Sequence, residues 1–134
     1  MIISNKSKAI ENVPFSIQIY VRNIKKALYF YHKILGFEII RKHPNKQLVV
    51  LSFHDSIIIL NSERGREKIK HNPGIQLRFL LKGGRKILER YYDELKSKRV
   101  KIIKPIKKRT YGLLTFHIKD PNGLELKFCS MDKI

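Results

Sequence analysis

The feature that most constrains this chain is a pattern that occurs twice. A short alternating strand leads into one amphipathic helix, and three further extended stretches follow. The first copy is clearest over residues 15–40. Ile17, Ile19 and Val21 alternate with Ser16, Gln18 and Tyr20, a period of two that predicts a strand with one apolar and one wetter face. Asn23 then stands where a helix N-cap is expected. Ile24, Ala27, Leu28, Tyr31, Ile34 and Leu35 recur at helical spacing, and Gly36 follows as a left-handed terminator. Phe37 to Ile40 reads as extended again. Gln47–Phe53 and Ser56–Leu60, joined by His54-Asp55, predict a hairpin that completes a βαβββ unit.

The second half repeats this outline, which weighs more than any single motif. Ile75, Leu77, Phe79 and Leu81 alternate with Gln76, Arg78 and Leu80, and Gly83-Gly84 ends that strand. Ile87, Leu88, Tyr91, Tyr92 and Leu95 mark one helical face. Val100–Ile103 is expected to be extended and Pro105 to turn the chain. Leu113–Lys119 and Leu124–Phe128 predict a closing hairpin around Asp120-Pro121-Asn122-Gly123, where Pro suits the second turn position and Asn-Gly suits positive φ. The modules are placed at about residues 13–61 and 74–130, with a polar linker over 62–73. Neither could bury its sheet alone, so the 134 residues read as one domain.

Composition narrows the class further. Apolar residues make up 43% of the chain, enough for a core, and no apolar run is long enough to span a membrane. The first dozen residues lack the apolar centre of a signal peptide. The single cysteine, Cys129, precludes an internal disulfide and fits a reducing, cytoplasmic setting. Charge is the most pronounced bias: 29 Lys and Arg against 11 Asp and Glu give a formal +18. Such a balance suits an anionic ligand or a polyanion, though it also serves solubility. The stretch 98–109 holds seven bases and no acid and is expected to form a strand edge and loop that attract anions.

Val21-Arg22-Asn23, Phe30-Tyr31 and Ile34-Leu35-Gly36-Phe37, together with Tyr111-Gly112 and Asp120-Pro121-Asn122-Gly123, resemble the opening and closing signatures of the vicinal oxygen chelate superfamily. That superfamily contains glyoxalases, bleomycin-resistance proteins and extradiol dioxygenases. The resemblance covers roughly residues 13–130. It implies an α+β fold of two tandem βαβββ modules whose curved sheets form a cup with the helices outside. It also implies a ligand in the cup and, commonly, a homodimer. It does not imply one activity, because some members bind without catalysis.

Catalytic members hold a divalent ion through four positions, which fall here on Ser16, Ile59, Gln76 and Lys127. Only Gln76 is an accepted ligand type, and Lys127 brings a cation to a cation site. No metal and no other cofactor is therefore expected. The five histidines show no ligating spacing, and four of them read as solvated. Strand parity sends His117, Glu125 and Lys127 toward the cup with Gln18, Tyr20, Gln76 and Arg78. Arg78 and Lys127 suit an anionic group, and His117 with Glu125 suits proton transfer. Glu125 could equally be tied up by one of the bases, and His117 by the sheet wall.

These residues predict a metal-independent binding protein for an anionic small molecule. The alternatives are a glyoxalase- or lyase-type enzyme using His117 and Glu125, and a non-specific binder of polyanions or nucleic acid. No Rossmann, P-loop or Ser-His-Asp pattern is present.

Overall fold

A computed structural model describes residues 15–63, 74–109 and 112–131. The tail over 1–14, most of the linker and Tyr111 of the closing signature lie outside the described residues. The chain divides into two compact units, Met1–Lys70 and His71–Ile134, and each is built as βαβββ.

In the first unit, β1 (Ile17–Tyr20) leads through Val21 to α1 (Ile24–Leu28), which widens into a π-helical turn over Tyr29–Ile34. Then come β2 (Glu38–Lys42), β3 (Leu48–Phe53) and β4 (Ser56–Asn61), in the sheet order β1-β4-β3-β2. β1 runs parallel to β4, and the other pairs are antiparallel. The predicted cap is present: the Asn23 side chain accepts from the Lys26 N–H at 3.1 Å. The helix ends at Gly36 with φ +80°.

The π-helical turn is a departure from the α-helix that the apolar spacing predicts. Its signature is the Leu35 N–H donating to the Phe30 carbonyl five residues back. This wider turn still buries Tyr31 and Leu35 completely. Tyr31 meets Phe37 edge-on at 5.4 Å, and Phe37 stacks on Phe53 at 4.4 Å. His32, read as solvated, instead donates from Nδ1 to the Phe37 carbonyl at 2.7 Å and ties the helix end to the entry of β2. The β3–β4 hairpin turns through His54 and Asp55, both at positive φ (47° and 66°). These residue types tolerate the left-handed region of a two-residue turn.

The second unit holds β5 (Gln76–Leu80), α2 (Arg85–Ser97), β6 (Ile102–Lys108), β7 (Leu113–Lys119) and β8 (Glu125–Met131), in the order β5-β8-β7-β6. Leu88 and Leu95 of α2 are fully buried. Tyr91 meets Phe128 at 5.2 Å and Tyr92 meets Phe116 at 5.0 Å, so the even-numbered residues of β7 and β8 face the helix. Ile75, expected on that face, precedes the strand and stays half exposed.

Two turn readings need correction. Pro105 does not turn the chain but lies within β6, whose register against β7 slips on both sides of Lys104. Among the described residues β6 is the edge strand beside β7, and an edge strand with bulges accommodates a residue that has no N–H to donate. At the closing hairpin only Gly123 takes positive φ. Asn122 keeps an ordinary backbone and donates its N–H to Asp120 Oδ1 at 2.9 Å, while the Leu124 N–H donates to the same oxygen at 2.8 Å.

Candidate functional site

Because β5, β8, β7 and β6 are in defined register, residues on the face away from α2 fall into cross-strand ranks. The central rank is Arg78, Lys127, His117 and Lys104: Arg78 pairs with Lys127, Lys127 with His117, and His117 with Lys104. One flanking rank is Gln76, Glu125 and Lys119. The other is Leu80, Cys129, Thr115 and Lys107. Glu125 is the only carboxylate in these three ranks. With strands about 4.8 Å apart, the central rank spans roughly 14 Å across the sheet. Like charges directly opposite each other on a sheet are unfavourable, so nothing in the fold calls for this row.

Glu125 does not neutralise it. His117 Nδ1 donates to Glu125 Oε2 at 3.0 Å, and the Gln76 amide donates to the same oxygen. A carboxylate oxygen only accepts, so the proton of the neutral imidazole sits on Nδ1 and the lone pair on Nε2. That Nε2 is buried and meets no hydrogen-bond partner among the described residues. Burial pushes the proton affinity of His117 down. The Glu125 carboxylate opposes this, and Lys104 and Lys127 add to the lowering. The hydrogen bond from His117 holds the Glu125 carboxyl below its ordinary value against the effect of burial, with help from Gln76.

In the next rank, Thr115 is fully buried and accepts from Arg109 Nε at 3.1 Å. Cys129 is also fully buried. Burial pushes its thiol up, while Arg78 and Lys127 act the other way. A buried, protonated thiol is a poor nucleophile.

The predicted residues therefore divide by unit. Gln76, Arg78, His117, Glu125 and Lys127 share one face of the second unit. Gln18 and Tyr20 lie on the corresponding face of the first, where Asn61 donates to Gln18 Oε1 at 3.0 Å and Gln18 donates to the Tyr20 hydroxyl at 3.1 Å. Sequence reading missed Lys104 as a neighbour of His117, because the slips in β6 break the parity that would have placed it. It also missed buried Asn61, which closes the first unit's network.

The two units can be aligned through one bond. Val21 N–H donates to the Asn61 carbonyl and Leu81 N–H to the Cys129 carbonyl. That equates Ser16 with Gln76 and Ile59 with Lys127, the four positions that would hold the metal implied by the resemblance. Those residues do not fit a divalent ion. Ile59 has no donor atom. The Gln76 amide is engaged with Glu125, and Lys127 stands beside Arg78 in the basic rank.

The Glyoxalase/Bleomycin resistance protein/Dioxygenase superfamily model matches residues 14–128, and the chain belongs to that family. Among curated proteins, none matches this chain. Similar solved structures include a glyoxalase/bleomycin resistance protein/dioxygenase from Alicyclobacillus acidocaldarius, at 21% identity and TM-score 0.69 over 91% of this chain and 93% of that one. TioX from Micromonospora sp. ML1 is similar at 12% identity and TM-score 0.72, covering 89% and 98%. Lactoylglutathione lyase from Agrobacterium tumefaciens is similar at 17% identity and TM-score 0.65, covering 89% and 93%. At these identities the likeness is one of fold. No helix among the described residues is long and apolar enough to cross a membrane.

Proposed function

We propose that this chain is a metal-independent binding protein for a small anionic molecule, with the ligand held on the face of the second sheet away from α2. The observation that carries this reading is the basic rank Arg78–Lys127–His117–Lys104; the one carboxylate in it and its two flanking ranks, Glu125, is occupied by His117 and Gln76. Arg78 and Lys127 supply the charge, and Gln76, which has a second amide N–H to give, orients the ligand. The protein works in this reading as a cytoplasmic homodimer, the usual state of its family.

Calorimetric titration of EDTA-treated protein with inorganic phosphate and with acetate tests it. Saturable binding that weakens on Lys127→Met and is unchanged by added zinc or manganese is expected. Anion binding that appears only after a divalent ion is restored would refute the metal-independent reading.

A second reading rests on the His117 tautomer. An imidazole oriented by a carboxylate, with its other nitrogen unprotonated, is equipped to accept a proton. A glyoxalase- or lyase-type reaction would use His117 as the base and Glu125 as the group that positions it. Solvent deuterium appearing in a bound 2-oxo acid, and lost in His117→Asn, would favour this over binding alone.

A further inference from the structure

The length of the basic rank says more about the ligand than its charge does. A single carboxylate or phosphate reaches cations on two neighbouring strands, spaced about 4.8 Å apart. The rank places its permanent cations on three strands: Arg78 on β5, Lys127 on β8 and Lys104 at the β6 edge. Drawing all three onto one small anion would crowd like charges together. A linear ligand with several anionic groups lets each cation take its own. Lys119 and Lys107 flank the row in the adjoining ranks, each in register with a residue that is not a base (Glu125 and Thr115). Two of the three central cations are lysines, compact point charges that serve phosphoryl oxygens without the planar geometry a carboxylate fork rewards.

We propose that the ligand is a linear oligophosphate, laid across β5, β8, β7 and β6 with Arg78 and Lys104 at its two ends. This inference rests on the anion-binding reading of the same face.

The test is calorimetric titration of the full chain, free of divalent ions, with sodium tripolyphosphate, orthophosphate and citrate. Tripolyphosphate is expected to bind at least tenfold more tightly than orthophosphate, since it takes a further charge-assisted hydrogen bond that orthophosphate cannot reach. Lys104→Ala weakens tripolyphosphate about tenfold on the same basis and changes orthophosphate binding little, whereas Arg78→Ala weakens both, because Arg78 and Lys127 hold the single phosphate. Lys25→Ala, on the exposed surface of α1, changes neither. Arg78 and Lys104 are both exposed, so their variants should fold, which thermal melts will verify.

Equal affinities for tripolyphosphate and orthophosphate would overturn the inference and leave the small-anion reading standing. Citrate binding as tightly as tripolyphosphate would overturn the phosphoryl assignment. A short single-stranded DNA that outcompetes tripolyphosphate, with Lys25→Ala as damaging as Lys104→Ala, would mean a diffuse polyanion surface instead. Failure of every anion to bind would remove both readings.

Discussion

Lys127→Met should make the protein more stable while weakening the proposed binding of anions. Lys127 is half-buried and directly opposite Arg78 in the sheet, and on its other side it faces His117, beyond which lies Lys104. Methionine keeps the length of the side chain and removes only the charge. A like-charge pair at directly opposed positions costs roughly 0.2–1 kcal/mol. Adding the more distant Lys104, the expected gain is about 1 kcal/mol at low ionic strength, or a Tm rise of about 3–4 °C for a domain of this size. Urea and thermal unfolding in 20 mM and 500 mM salt would measure it. At high salt, with the Debye length near 4 Å, the difference should shrink by more than half. Salt should therefore stabilise the wild type more than the variant. A gain that persists at 500 mM salt would reflect apolar packing rather than relieved repulsion, and a loss at low salt would refute the strained-rank argument outright.

Other outcomes follow from single contacts. Asp120→Ala removes the acceptor for the Asn122 and Leu124 amides and should cost about 2–4 kcal/mol in urea unfolding, since the group is buried and charged. Gly83→Ala places a methyl 2.5 Å from Ile87 Cγ1 on a backbone at φ +100°; a loss of about 2 kcal/mol is expected, and an unchanged Tm would count against it. For His117 and Glu125 the signs agree. Each has a folded proton affinity below its unfolded one, so each contributes stability that is full above the unfolded value and lost as pH falls. Unfolding free energy should decline as pH drops below 6.5 and again below 4.5, and His117→Asn should flatten the upper limb; stability rising on acidification would contradict the geometry.

Much of the fold was legible because it rests on parity and turn chemistry. Ile17, Ile19, Leu77, Phe79, Leu126 and Phe128 announce a strand face by spacing alone, and Asn23, Gly36 and Asp120-Pro121 announce its boundaries. The π-helical turn at Tyr29–Ile34 was not legible. Its apolar positions satisfy an ordinary α-helix equally well, and tertiary packing around Tyr31 decides between them. The site was half legible for a related reason. Period-two alternation sends His117, Glu125 and Lys127 to one face, but which residue stands beside which depends on inter-strand register. Bulges around Pro105 shift that register within β6, so spacing alone put Lys104 in the anion-attracting stretch 98–109 without placing it beside His117.

Aligning the two units shows where fold ends and function begins. The rank Phe79–Phe128–Phe116 on the helix face of the second sheet corresponds to Ile19–Leu60–Val49 in the first. Every one of these residues is apolar, because each sheet must bury that face against its own helix. On the other face the basic rank Arg78–Lys127–His117–Lys104 corresponds to Gln18–Ile59–Val50–Arg41. Glu125 corresponds to Ile57, and Lys119 to Ser52. The same backbone thus carries a largely apolar surface with one base, Arg41, in one unit and a cationic surface in the other. Helix-face positions are held by the need for a core, whereas the opposite face is free to take whatever chemistry the ligand demands. The packing of each sheet on its helix follows from the first set of positions. The proposed anion binding rests on the second, whose basic residues lie almost entirely on β5 to β8.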